Sequence, residues 1–89
     1  MNRYLKNKNA ITGRVNEELV MMDIDRGKYF SLNNVATRIW EILDVPLGME
    51  EICLQLMQEY AVEEVQCRAE TEACLAEMIS LGLLVETNV

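Results

Sequence analysis

Cys53, Cys67 and Cys74 are the only thiols in a chain that contains no histidine. Without imidazole there is no Ser–His or Cys–His nucleophile pair, no histidine base and no histidine-held metal. Cys67 and Cys74 lie seven residues apart. On a helix that places their Cα atoms about 10 Å apart at ~1.5 Å per residue, beyond disulfide reach. No cationic neighbour pattern that would lower a thiol pKa is evident. The cysteines therefore read as small buried hydrophobes, with a redox or thiolate role as the alternative. No CxxC, GxGxxG, Walker loop or HExxH occurs. The expectation is a protein that is not an enzyme and needs no metal or cofactor.

What remains is the chemistry of binding. Lys28, Tyr29, Phe30, Ser31 and Leu32 read as a strand uninterrupted by proline. Alternation puts Phe30 and Leu32 on one face and Tyr29 and Ser31 on the other. A small sheet has open edges, rows of unpaired N–H and C=O groups with which an extended peptide can pair. Phe30 and Leu32 are assigned mainly to the core. Tyr29 reads as a half-exposed strand aromatic or as the wall of a peptide groove. On the last helix, Cys67, Thr71, Cys74, Met78 and Leu81 form one apolar stripe, and Leu75 and Ile79 an adjacent column. Either a wider core or a groove lining explains that second column. Glu70, Glu72 and Glu77 read as a solvated helix face or as charges that steer a basic peptide. Arg26 and Lys28 could pair with an acidic peptide residue. Exposed pairs are worth roughly 0–1 kcal/mol, so they would set register rather than affinity.

The elements that must position these residues follow from the pattern. A chain of 89 residues supports one core. Three strands are expected, over 11–15, 19–23 and 28–32, with turns at Asn16-Glu17-Glu18 and Asp25-Arg26-Gly27. Three helices follow. The first is capped by Asn33 or Asn34 and carries Val35, Ile39, Ile42 and Leu43 at helical spacing, with Trp40 beside them. Pro46 ends that run. The second carries Met49, Ile52, Cys53, Leu56, Met57 and Tyr60 on one stripe. The third starts near Glu63 or Glu64, and Gly82 caps its end. Residues 1–10 are expected to be a flexible N-terminal segment, 11–85 a single domain and 86–89 a tail. Strands followed by helices imply an α+β fold, a three-stranded antiparallel sheet followed by three helices in a winged-helix-like arrangement.

Fifteen acidic against eight basic residues give a net charge of −7, which argues against nucleic acid. No stretch approaches the ~20 apolar residues of a membrane span. An odd number of cysteines and no signal-peptide pattern lead to an expected cytoplasmic location.

The run from Met22 to Asn33, with Asp23, Gly27, Tyr29, Phe30 and Leu32, continues into Val35-Ala36, Arg38-Ile39-Trp40 and Leu43. This resembles the PqqD-like family, the RiPP recognition elements. Glu50-Glu51-Ile52 and Leu81-Gly82-Leu83-Leu84 also fit, so the resemblance covers about residues 11–85. The Tyr-Phe-x-Leu-Asn and Ile-Trp forms look most like the stand-alone members of lasso-peptide gene clusters. Two features depart from the family pattern. Gly48 stands where a Thr or Ser cap is usual, and Cys67, Thr71 and Cys74 replace larger apolar residues, which would widen the groove. The resemblance implies binding without catalysis. A precursor's leader peptide would add as a strand beside residues 28–32, against the third helix, so Thr71, Cys74, Leu75, Met78 and Ile79 join residues 28–32 as candidate peptide-binding residues. Implied partners are the precursor peptide, a papain-like or transglutaminase-like leader peptidase and a macrolactam synthetase. The alternatives are a peptide chaperone of the pyrroloquinoline quinone pathway working with a radical SAM enzyme, and an acidic winged-helix transcription regulator. The second and third helices lack the basic recognition surface a regulator would need.

Overall fold

A computed structural model describes residues 2–24 and 27–88. The chain runs β1 (Asn2–Lys6), β2 (Ile11–Val15), β3 (Glu18–Asp23), β4 (Lys28–Ser31), α1 (Asn34–Ile42), α2 (Met49–Glu59), α3 (Glu64–Ser80) and β5 (Leu84–Asn88). Strands β2, β3 and β4 form an antiparallel meander in that order, so the α+β, winged-helix-like expectation holds. Asn16 and Glu17 both have positive φ (52° and 71°). A two-residue connection of that hand matches the twist of the strands it joins. Of the second expected turn, Asp25 and Arg26 lie outside the described residues. Gly27 has φ 65°, as a turn glycine there requires.

The register decides which backbone groups of β4 are free. Asp23 pairs with Lys28, Met21 with Phe30 and Val20 with Ser31. The Leu32 N–H donates to the Leu19 carbonyl at 2.9 Å. Backbone direction alternates along an antiparallel strand. Lys28, Phe30 and Leu32 therefore turn their N–H and C=O groups toward β3, while Tyr29 and Ser31 turn theirs outward along the open edge.

Both chain ends differ from expectation. Asn2–Lys6, within the expected flexible segment, and Leu84–Asn88, which takes in residues 86–88 of the expected tail, pair antiparallel, from Asn2 opposite Asn88 to Lys6 opposite Leu84. Gly82, with φ 80°, reverses the chain after α3. Leu83 and Leu84, at 0% and 1% exposure, are then drawn into the core and fix the start of β5. Tyr4 exchanges backbone hydrogen bonds with Leu47 at 2.7 and 3.1 Å. Lys6 pairs with Asp44 at 2.6 Å and lies 4.7 Å over the Trp40 ring.

The core lies between the sheet and the helices. Met21, Ile39, Leu43, Ile52, Leu56, Leu75, Met78, Leu83 and Leu84 are all buried there. Asn33 caps α1, its side chain accepting from the Ala36 N–H at 2.8 Å. Gly48 has no side chain to cap α2, and Glu51 compensates by accepting the Gly48 N–H at 3.0 Å. Arg38 forks onto Glu59 at 2.6 and 2.7 Å, tying α1 to the end of α2. Hydrogen bonding to Arg38 holds the Glu59 carboxyl below its ordinary pKa. Among the described residues no helix is long and apolar enough to cross a membrane.

Candidate functional site

The free edge of β4 faces α3 across a groove of about 360 Å³. Phe30, Ser31 and Leu32 form one wall. Cys74, Glu77, Met78 and Leu81 form the other, and Asn33 and Ala36 close the end where α1 begins. The wall residues of α3 fall at i, i+3, i+4 and i+7, which is one face of the helix. Met78 is the floor at 1% exposure, and the Cys74 thiol lies 3.9 Å from its sulfur. The groove thus joins a row of free backbone donors and acceptors to an apolar trough. Extended peptides bind such a combination through main-chain pairing and side-chain pockets.

Glu77 is the one acidic side chain on this lining. Among the described residues no cation pairs with it. Its charge is felt at Cys74, whose thiol pKa is raised, first by burial and then by Glu77. Replacing Glu77 by Gln removes one of the two causes that disfavour the thiolate. The Cys74 pKa is expected to fall, and alkylation of Cys74 by iodoacetamide at neutral pH to accelerate. Peptide mapping by mass spectrometry checks this: an unchanged rate would separate the carboxylate from the groove. Cys53 and Cys67 are both buried and are expected to react only on unfolding.

Of the candidate residues, the structure brings together Phe30, Ser31, Leu32, Cys74 and Met78. Lys28 and Tyr29 lie on β4 but outside the lining; Tyr29 is 69% exposed. Its backbone still faces the open edge. Thr71 and Leu75 do not reach the groove. Both are 1% exposed and belong to the interior, with the Thr71 hydroxyl 3.8 Å from the Cys67 thiol. Ile79 is half-buried against the core and also lies off the groove. The buried stripe of α3 is Cys67, Thr71, Leu75 and Met78. At 3.6 residues per turn, a stripe passing through Thr71 can continue to Cys74 or to Leu75. The helix takes the second course, which frees Cys74 for the groove. Asn33, Ala36, Glu77 and Leu81 complete the lining; Glu77 was expected only as a solvated or steering charge and Leu81 only on the apolar stripe of the helix, and the signal for both as lining was their spacing from Cys74.

A wider hollow of about 530 Å³ lies beside Lys6, Arg14 and Arg38. Each of those cations is already engaged, with Asp44, Glu41 and Glu59 respectively, so it is the weaker candidate.

Residues 18–84 match the family described as Coenzyme PQQ synthesis protein D (PqqD). No curated protein sequence matches the chain. Among solved structures, the fold is similar to TbiB1 in complex with the TbiA(beta) leader peptide. That match has 24% identity and a TM-score of 0.74, and covers 90% of this chain and 93% of the other. It is also similar to a lasso peptide synthetase B1 complexed with the leader peptide. Here the identity is 19% and the TM-score 0.76, with coverage of 92% and 96%.

Proposed function

We infer the function from the family: this chain belongs to the coenzyme PQQ synthesis protein D (PqqD) family. It is a leader-peptide recognition element of ribosomally made, post-translationally modified peptides. It acts without catalysis, binding the leader of a precursor as an added strand and presenting the rest of that precursor to processing enzymes. The observation that carries this reading is the open β4 edge, with the outward amides of Tyr29 and Ser31 set across an apolar groove from α3. The lasso route is favoured because both similar structures are described as leader-peptide complexes, and one as a lasso peptide synthetase B1. On that route the partners are a leader peptidase and a macrolactam synthetase in the cytoplasm. The free thiols Cys53, Cys67 and Cys74 suit a reducing compartment. A gene neighbourhood holding a radical SAM enzyme instead would favour the pyrroloquinoline quinone route.

Amide hydrogen exchange tests the binding mode. A candidate precursor's leader peptide that binds is expected to protect the amides of Tyr29 and Ser31 and to leave Met49–Glu59 unchanged. Protection concentrated on Met49–Glu59 would overturn the assignment to the β4 edge, however tightly the leader bound.

A further inference from the structure

The meander has two outer strands, and the peptide groove uses only β4. On the opposite side, among the described residues no strand pairs with the outer edge of β2. Its free groups follow from the register. Leu19, Met21 and Asp23 turn toward β4, so Glu18, Val20 and Met22 turn toward β2. Their partners Val15, Gly13 and Ile11 are thereby engaged. Thr12 and Arg14 are left with N–H and C=O groups directed outward. That edge is not covered: Thr12, Gly13 and Arg14 open onto the hollow whose far wall holds Trp40, Glu41 and Asp44.

We propose that two copies of this chain pair through β2, antiparallel about a twofold axis at Gly13, joining two three-stranded meanders into one continuous sheet. Three observations support a second copy as the occupant.

The first is self-complementarity. About an axis at Gly13, Thr12 of each copy lies opposite Arg14 of the other. The two residues with outward backbone groups thus meet each other twice, as a twofold interface requires. All of Ile11–Val15 is used, with Ile11 opposite Val15 of the second copy.

The second is the side chains along the edge. Alternation puts Ile11, Gly13 and Val15 on the face of the sheet away from the helices, with Met22 beside Ile11. Ile11, Val15 and Met22 are all exposed large hydrophobics. Pairing brings both sets together in one strip across the seam. Gly13 has no positive φ to require glycine. Met22 lays its Cε 3.4 Å from where a Gly13 side chain would begin. The bare backbone at the axis suits close approach of a second strand, and the two Met22 side chains fill the space above it.

The third is charge. The chain carries −7, yet Ile11–Val15 has no acidic residue. Its one cation, Arg14, is held toward α1 by Glu41 at 2.8 Å, so it does not block the edge. Like net charges still repel at a distance, and salt screens that repulsion. Association is therefore expected to strengthen as sodium chloride is raised. Because β2 and β4 are opposite edges, pairing leaves both peptide grooves open.

Sedimentation velocity on the full chain, loaded from about 10 to about 500 μM, spans the range of a small transient interface. The mass is expected to rise from 10.2 kDa toward the dimer with concentration, and further with salt. Thr12→Pro removes an outward donor without breaking a bond to β3 and is expected to weaken the dimer at least tenfold. Ile11→Lys combined with Val15→Lys sets like charges opposite one another across the seam, with the same expected loss. This pair of exposed substitutions decides the question should Thr12→Pro not fold. Both variants are expected to bind leader peptide within about twofold of wild type. Gly13→Cys tests the register. Directly opposed residues of a non-hydrogen-bonded pair have Cα atoms about 4.5 Å apart, within disulfide reach. Oxidised glutathione is expected to convert Gly13→Cys to a covalent dimer and to leave Val85→Cys, exposed on β5, monomeric. A wild-type chain that stays monomeric throughout would overturn the proposal. So would a dimer that persists in the lysine variant, or one lost on Ser31→Pro, which would place the contact at β4.

Discussion

Proline at position 31 is expected to weaken strand capture strongly while the domain remains folded. The Ser31 amide points away from β3, because Leu32 spends its own N–H on the Leu19 carbonyl. Ser31→Pro therefore breaks no bond within the sheet, and proline is tolerated on an edge strand for that reason. Toward a pairing peptide it removes a donor and inserts a ring into the line of approach. Losing one main-chain bond and clashing with the incoming backbone together cost about 2–3 kcal/mol, roughly a 30- to 150-fold rise in Kd. Ser31→Ala keeps the N–H and is expected to bind within a few fold of wild type. Fluorescence anisotropy with a labelled leader, alongside thermal unfolding of both variants, makes the comparison. Wild-type affinity in Ser31→Pro would move the peptide away from the β4 edge.

Leu75→Ala is expected to act almost wholly on stability. Leu75 is 1% exposed and packs within the core cluster that contains Ile39, Ile52, Leu56 and Leu83. Truncating a buried leucine costs about 2–5 kcal/mol, depending on how far the cavity collapses. For a domain whose total stability is of order 5–15 kcal/mol, that is a large fraction. The urea midpoint is expected to fall sharply with an unchanged slope, and the molecules still folded are expected to bind peptide within about threefold of wild type. A weaker Kd with an unshifted midpoint would place the Leu75 side chain against the peptide instead.

Local patterns made much of the architecture legible. Alternation, the polar turn at Asn16-Glu17 and Gly27 located the meander, and the apolar stripe of Met49, Ile52, Cys53 and Leu56 located α2. Asn33 serves as the cap of α1, and Gly82 ends α3 with positive φ. Each of these depends on residues within a turn or two of one another, where backbone sterics and side-chain periodicity act directly. The free strand edge was equally accessible, since β4 is followed at once by a helix and has no later strand of its own pattern to cover it.

Composition and spacing by themselves determined that this is an acidic α+β chain without imidazole chemistry, built around an edge strand with a helix to face it. Only the tertiary structure decided which side of α3 that strand would meet. Cys74 and Leu75 continue the stripe from Thr71 about equally well in periodicity. The difference of one position shows only in the packing, with Leu75 at 1% exposure inside the core cluster and Cys74 half-buried against it. The pairing of β1 with β5 was likewise beyond local reading. Asn2–Lys6 is a short polar segment with little strand character of its own. It becomes a strand because Leu83 and Leu84, buried after α3, present an edge to it from the far end of the chain. Such pairing is non-local, so no window of sequence contains both halves of the interaction.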